Sequence, residues 1–282
     1  MSKAKRIIIS LIVTVLVVAV AFYVVLPPIN AQSTEFWGFV AFAVIFFGVC
    51  NGFLEFKAGN LNKTKNKFNT RDKLKKDPFY IVVTALAIIP IAIIIVGNII
   101  SSTFFNAYEY ADIISVKDAV FEEDMPETDT VTNIALMDST SATTIGNRTL
   151  GSLSHVVSQY EVASKYSQIN YHGSPKKVAN LEYVGFFKWL NNRENGIPGY
   201  VMVDPVNISA EYVEFSKPIK YVDSAYFGED LYRALRFKYP TKIFDNFSFE
   251  VDEAGNPYYI VACAKPQISL FGAYDKIGRA HV

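Results

Sequence analysis

The chain has 282 residues, of which 51% are hydrophobic and 15% are aromatic, and its formal net charge is zero. The zero hides an asymmetry, because residues 106–276 carry 15 Lys and Arg against 23 Asp and Glu, a net charge of −8. The apolar residues concentrate before position 106, which excludes a single soluble domain with an evenly distributed core. Two halves of such different character are expected to face different surroundings.

Three apolar segments predict membrane-spanning helices. Ile7–Leu26 is twenty residues without a charge, the length needed to cross about 30 Å of hydrocarbon, and no small-residue cleavage site clearly follows it. Phe36–Leu54 is the second span, and Phe79–Phe105 is the third, with Pro90 expected to kink it. Asn51 is expected to be hydrated at the end of its span. No buried charged pair is expected within these bounds, which argues against an ion pathway through the three helices alone.

The segments between the spans predict their orientation. Short loops rich in Lys and Arg stay in the cytoplasm, whereas the loop "PPINAQSTE" has no basic residue and is expected outside. The basic loop 55–78 and the basic amino terminus therefore predict a cytoplasmic amino terminus and an extracytoplasmic carboxyl-terminal domain. A nucleic-acid site would need aromatic residues among the charges, and residues 57–78 have one, Phe68, so no nucleic-acid partner is expected. The residues that determine this topology are Lys57, Lys63, Lys65, Lys67, Arg71, Lys73, Lys75 and Lys76.

Residues 106–130 read as a solvated acidic segment, and residues 131–276 read as an exported domain. At its start, "MDSTSATTIGNRTLG" favours a polar loop or edge strand, with Gly146 and Gly151 marking a turn. "KYSQINY" predicts a strand, and "LEYVGFFKWLNN" predicts a helix. The face that this helix would bury is made of Tyr183, Phe186, Phe187 and Leu190.

The second half of this domain alternates strands and a helix. "GYVMVD" and "AEYVEF" predict two strands around the turn "PVNIS", and "SAYFGEDLYRALRFKY" predicts a second amphipathic helix. "FSFEVD" and "PYYIVACA" predict a hairpin across the turn "EAGN". The predicted fold class is therefore three amino-terminal transmembrane helices followed by an α+β extracytoplasmic domain with antiparallel hairpins.

The sequence carries no recognisable catalytic motif. It has no GxSxG, HExxH, P-loop or GxGxxG pattern and no Cys or His spacing for zinc, so no catalytic residue, cofactor or metal ligand is assigned. Arg233 and Arg236 share a predicted helical face and, with Arg148, are the candidate contacts for an anion or a partner. Structural ion pairing with the many carboxylates of the domain is the default explanation for them.

Two resemblances add to this interpretation. Gly199–Phe215, with Val201, Val203 and Asp204, resembles the strand-turn-strand of PepSY-type extracytoplasmic modules, without their usual turn glycine. More broadly, apolar spans followed by a domain with phrases like "LYRALRFKYPTKIFDNFSFEVDEAGNPYYI" resemble uncharacterised clostridial-type bacterial multi-pass membrane proteins, which implies a location rather than an activity. Ile277–Val282, "IGRAHV", is similar to the translation of a common sequencing adapter, so an artefact there and a truncated domain are expected.

These observations predict a protein of the bacterial cytoplasmic membrane whose exported domain binds or senses a ligand or a partner protein. The lipid bilayer and other envelope proteins are the expected partners. Two alternatives remain open at this point: an envelope enzyme whose catalytic residues lie in a missing carboxyl-terminal part, and an accessory subunit of a transporter.

Overall fold

The structure is a computed structural model of the chain and describes residues 2–61, 77–114, 118, 120, 135 and 137–281. The chain forms two compact units. The first comprises Met1–Ile114, Thr241–Ile243 and Lys265–Asp275. The second comprises Ser115–Pro240, Phe244–Ala264 and Lys276–Val282.

Three long helices dominate the first unit: α1 (Lys3–Val25), α2 (Thr34–Leu61) and α3 (Pro78–Ile100). All three are long and apolar enough to cross a membrane, which confirms the three predicted apolar helices. Helix α2 contacts both α1 and α3, and a short helix, α4 (Ala107–Asp112), follows.

Helix α3 ends at Ile100, before the predicted boundary at Phe105. The Asn106 side chain donates hydrogen bonds to the carbonyl oxygens of Ile100 at 2.6 Å and Ser102 at 3.0 Å. The last carbonyl oxygens of a helix have no hydrogen-bond donor within the helix. A side chain that donates to such a carbonyl oxygen therefore favours the end of the helix at this point.

The remaining elements are strands and short helices. The helices are α5 (Ser139–Gly151), α6 (Ser154–Val157), α7 (Phe186–Asn192) and α8 (Leu231–Lys238), with a 3-10 helix at Phe227–Glu229. The strands are β1 (Tyr160–Val162), β2 (Ser167–Tyr171), β3 (Ser174–Tyr183), β4 (Ile197–Asp204), β5 (Ser209–Ile219), β6 (Ile243–Val251), β7 (Pro257–Ile268) and β8 (Gly272–His281). A three-helix part followed by antiparallel strands agrees with the predicted fold class.

The strands form two sheets. The first has the order β1-β3-β4-β5, with β2 also paired to β3, and all its pairings are antiparallel. The second has the order β6-β7-β8, which confirms the predicted neighbours β6 and β7.

The first sheet is covered on both faces. Side chains alternate along a strand, so Val178 and Glu182 of β3 lie on one face and Leu181 lies on the other. Tyr200 of β4 is opposite Asn180 on the first of these faces, and its ring lies 5.9 Å from Phe249 of β6. The second sheet therefore covers the face that carries Glu182. Helix α5 contacts the same sheet through β4 and β5 and adds Ala142 and Leu150 to the buried core.

The β4–β5 turn lies where the sequence predicts it and depends on Asp204. Its carboxylate accepts hydrogen bonds from Val206 N at 2.9 Å, from Asn207 N at 2.8 Å and from Lys176 Nζ at 2.6 Å. Burial opposes ionisation of this carboxyl, but the bonds from Lys176 and Asn207 outweigh it and hold its pKa well below the ordinary value. An Asp that accepts from the backbone two and three residues later closes the turn without a glycine.

The predicted helix over "LEYVGFFKWLNN" is wrong in its first part. Tyr183 ends β3 and pairs with Tyr160 of β1, and Gly185 at φ = +81° separates strand from helix. Only Phe186–Asn192 is helical, and Trp189 is its buried residue, whereas Phe187 is 75% exposed. Strand pairing has overridden the helical spacing of the apolar residues.

The segment "MDSTSATTIGNRTLG" is helix α5 rather than a polar loop or edge strand. Asp138 caps it by accepting from Ser141 N at 2.7 Å, and the Thr143 hydroxyl donates to the Ser139 carbonyl one turn earlier. Gly146 lies inside the helix. It has to be a glycine because an added Cβ would collide with the Tyr166 hydroxyl. The glycine therefore allows close packing and does not mark a turn.

Candidate functional site

A buried polar network joins the three long helices. Arg6 Nη2 lies 3.3 Å from Glu55 Oε2, to which the Tyr80 hydroxyl donates at 2.7 Å. Asn51 donates to Ser10 Oγ at 3.2 Å and accepts from the Tyr80 hydroxyl at 3.2 Å. The expectation that Asn51 is hydrated is wrong, because it is fully buried. The predicted spans stop one residue short of Arg6 and Glu55, so this ion pair lies just outside the bounds of the expectation of no buried charged pair, and the Glu55 side chain is 38% exposed.

A second ion pair lies at the same helix ends. Lys3 Nζ donates to Asp77 Oδ1 at 2.8 Å, and Asp77 caps α3 by accepting from Phe79 N at 2.9 Å. The Lys3 hydrogen bond lowers the pKa of Asp77, with help from the Phe79 amide. Polar contacts between apolar helices fix how the helices pack when lipid supplies no hydrophobic force between them. The network therefore has a structural role in holding the three helices together.

The residues predicted to set the topology fall largely outside the described residues. Lys57 lies exposed on α2. The others that lie outside the described part of the chain are Lys63, Lys65, Lys67, Arg71, Lys73, Lys75 and Lys76.

The three candidate arginines have different surroundings. Arg148 is exposed in the last turn of α5. Arg236 is 1% exposed, donates to the Tyr232 hydroxyl at 2.9 Å and places its guanidinium 4.5 Å from the centre of the Phe244 ring. Arg233 Nη1 donates to the carbonyl of Phe227 at 2.7 Å. Burial under aromatic rings removes Arg236 from the surface, so it organises the interior around α8.

Exposed apolar side chains gather around α7 and the 3-10 helix, and they are called here the aromatic surface. Ring centres lie 5.6 Å apart for Phe186 and Phe187, and 5.1 Å apart for Phe186 and Tyr226. Exposure ranges from 37% for Phe186 to 75% for Phe187. The members of the aromatic surface are Val184, Phe186, Phe187, Leu190, Tyr226 and Phe227.

Trp189 supports the aromatic surface from below. Its ring centre lies 5.4 Å from Tyr226 and 5.7 Å from Phe227, and its Nε1 donates to Glu229 Oε2 at 2.8 Å. Phe227 has φ = +54°, a region that bulky residues rarely adopt. The hydrogen bond from Arg233 to its carbonyl helps to hold this conformation, in which the Phe227 ring stays 57% exposed. A strained residue that presents an aromatic ring to solvent suggests a functional surface.

Charges of both signs surround the aromatic surface. Arg193, just after α7, lies over the Trp189 ring at 5.9 Å, and Lys188 is on the same helix. Glu194 is exposed in the next position, and Glu229 belongs to the 3-10 helix. An aromatic centre with a mixed charged rim is the usual composition of a protein interface.

An acidic cluster lies where β1, β3 and the loop after β5 come together in the second unit. Glu161 and Glu182 are directly opposite each other across β1 and β3. Burial, and then the charges of Asp223 and Glu161, raise the pKa of Glu182. Asp223 is exposed when the whole residue is considered, but its carboxyl group is partly desolvated. This desolvation, and then the charge of Asp230, raise the pKa of Asp223. Tyr259 of β7 is within electrostatic reach of both Asp223 and Glu182.

Comparison of the chain with protein-family models, with curated proteins and with solved structures found no match.

Sequence reasoning missed both the aromatic surface and the acidic cluster. It assigned Phe186, Phe187 and Leu190 to a buried helix face, because their spacing alone does not say which face is covered. The two glutamates of the cluster are 21 positions apart, since they occupy residues 161 and 182, and only the register of β1 with β3 brings them together. One usable signal was the pair Phe186-Phe187 directly after a glycine, because successive residues of a helix point about 100° apart and a short helix does not bury both rings equally.

Proposed function

We propose that this chain is a membrane-anchored binding protein of the bacterial envelope, whose carboxyl-terminal domain binds a partner protein through the aromatic surface. Three apolar helices anchor it, with the amino terminus in the cytoplasm and the domain on the extracytoplasmic side. The orientation rests on the distribution of Lys and Arg between the loops. The relationship to PepSY-type modules, based on Gly199–Phe215, is part of this proposal.

The observation that carries the proposal is the exposed aromatic surface. A surface that only had to stay soluble would not keep Phe187 75% exposed and Phe227 57% exposed, with ring centres 5.6 Å and 6.5 Å from that of Phe186. Burying a large apolar side chain contributes about 1.5–3 kcal/mol of favourable free energy, so covering these rings would favour binding of a partner. Their edge-to-face contacts and the buried Trp189 keep the rings in place before a partner arrives.

A protein partner fits the aromatic surface better than a lipid surface does. The rim carries Lys188 and Arg193, but also Glu194 and Glu229. An anionic lipid surface attracts a uniformly basic rim and repels carboxylates. Mixed charge instead suits a protein surface with its own alternating charges, which gives specificity to the contact.

The binding proposal is tested by site-specific photocrosslinking in the organism that encodes the chain. The photoreactive residue p-benzoylphenylalanine replaces Phe187 in one variant and Ile208 in the control, since Ile208 is 68% exposed in the β4–β5 turn. We expect one protein adduct from position 187, none from position 208, and loss of the adduct when Leu190→Ser is added. The purified pair should also bind in calorimetry, about tenfold more weakly with Leu190→Ser. Lipid adducts alone from position 187, or equal adducts from both positions, would contradict the proposal.

The orientation is tested by labelling single cysteines with a membrane-impermeant thiol reagent in intact cells. The background is Cys50→Ala and Cys263→Ala, and the two probes are Lys65→Cys in the basic loop and Lys220→Cys after β5, where Lys220 is exposed. We expect labelling at position 220 and none at position 65. The reverse pattern would show that the domain is cytoplasmic.

A further inference from the structure

The acidic cluster concentrates negative charge at a place where the fold does not neutralise it. Glu161 and Glu182 are paired across β1 and β3, a position where like charges destabilise a sheet. The Tyr183 amide donates to Ser224 Oγ at 2.8 Å, which brings the segment of Asp223 to the end of β3 beside Glu182, and the charge of Asp223 affects the ionisation of Glu182. Among the described residues, none of these three carboxylates takes part in an ion pair.

The cation that acts on Asp223 is engaged elsewhere. Lys165 lowers the pKa of Asp223 from a distance, but its Nζ donates hydrogen bonds to Asn246 Oδ1 and to the carbonyl of Phe247. A lysine that already makes these bonds does not move to the carboxylates without losing them. The cluster therefore keeps its unpaired negative charge.

Tyr259 supplies a second and independent sign of a ligand. The residue is 6% exposed, and its hydroxyl is buried without a hydrogen-bond partner among the described residues. The Tyr259 ring centre lies 5.6 Å from that of Phe249, which contacts Tyr200 on the face of the first sheet that carries Glu182. Asp223 and Glu182 also act on the Tyr259 hydroxyl electrostatically. A buried hydroxyl without a partner is costly, and such groups in native proteins call for a missing partner.

The chemistry of the cluster limits what that partner is. Two carboxylates and a phenol oxygen accept hydrogen bonds, and a primary ammonium group has three N–H donors to satisfy three acceptors. No group of three or more Asp, Glu, His or Cys in the described part of the chain is arranged to hold a metal ion. The arrangement therefore suits an organic cation with N–H donors better than a metal.

We propose that the acidic cluster binds a primary ammonium group, held by Glu182, Asp223 and the Tyr259 hydroxyl, with Glu161 adding negative charge at the entrance. Charge-assisted hydrogen bonds of this kind are about twice as strong as neutral ones. The ammonium group belongs either to a free aliphatic amine or to the side chain of a lysine in a peptide. This site uses other residues than the aromatic surface, so the two proposals stand or fall separately.

The test is calorimetric titration of the full chain in detergent micelles. The probes are cadaverine for a free amine and the end-blocked tripeptide Gly-Lys-Gly for a lysine side chain. The comparison compounds are 1,5-pentanediol, which has no charge, and tetramethylammonium, which has charge but no N–H donor. The variants are Glu182→Gln and Tyr259→Phe, with Glu253→Gln as the control, because Glu253 is an exposed glutamate in the β6–β7 turn.

We expect binding of cadaverine, of the tripeptide or of both, and the stronger of the two identifies the source of the ammonium group. Glu182→Gln and Tyr259→Phe should each weaken binding about tenfold, because the first removes the negative charge of an acceptor and the second removes the acceptor itself. Glu253→Gln should bind as the unmodified chain does. If Glu182→Gln does not fold, Tyr259→Phe decides alone, since it keeps the packed ring. The proposal is overturned if neither amine binds, if pentanediol or tetramethylammonium binds equally well, or if the variants and the control bind alike.

Discussion

Gly97 provides a prediction whose size follows directly from the structure. It lies in the last turn of α3, where the Phe271 side chain rests against its backbone. A Cβ added at Gly97 would lie 2.7 Å from Phe271 Cδ2 and 3.1 Å from Leu270 Cδ2, with Phe271 Cε2 closer still. Carbon atoms in normal contact are about 3.5–4.0 Å apart, so Gly97→Ala forces the ring away. Overfilling a packed site of this kind costs about 1–3 kcal/mol.

The matched control is Gly38→Ala. Gly38 lies near the amino end of α2, and an added Cβ would meet nothing within 4 Å. Both substitutions gain up to about 1 kcal/mol of helix propensity, so the difference between the two variants isolates the contact with Phe271. We expect Gly97→Ala to be less stable than Gly38→Ala by about 1–3 kcal/mol.

Hydrogen exchange of the full chain in detergent micelles measures this difference locally. The Phe271 amide donates to Ser101 Oγ at 3.0 Å, so its exchange rate reports whether the β7–β8 turn stays against the end of α3. A loss of 1–3 kcal/mol corresponds to exchange that is about 5- to 150-fold faster. Equal exchange rates in Gly97→Ala and Gly38→Ala would refute the reasoning, because the ring would then have moved without cost.

Three further predictions concern charged groups. The fold holds the pKa of Asp204 below its ordinary value of 3.8, so its contribution to stability is complete above that pH and is lost as the pH falls below it. Thermal unfolding of Asp204→Asn should lack this acid-dependent step, and an unchanged step would assign it to other groups. Glu161→Lys should raise the unfolding temperature, because it replaces a like-charge pair with Glu182, and should prevent cadaverine binding by placing an ammonium group in the cluster. The double variant Tyr80→Phe/Glu55→Gln should lose less stability than the sum of the losses in the two single variants. The difference in this double-mutant cycle should be about 0.6–1.7 kcal/mol, and strict additivity would argue against the hydrogen bond between the two side chains.

The sequence alone determined the parts of this protein that depend on local pattern. The three long helices followed from the length of the apolar segments, because only a helix satisfies every backbone group within an apolar run of that length. The β4–β5 and β6–β7 hairpins followed from alternating side chains around Asp204 and around "EAGN". The membrane location follows from the same apolar segments, and the orientation remains a prediction from loop charges.

Only the tertiary structure decided which residues of distant segments meet. Arg6, Asn51 and Tyr80 come from three different helices, and nothing in their spacing announces the network that they form. Helical spacing at 183–190 was real, but the pairing of Tyr183 with Tyr160 took the first residues into a sheet and left Phe187 exposed. Burial depends on what covers a face, and that covering comes from segments far away in the chain. For this reason the aromatic surface and the acidic cluster became visible only in three dimensions.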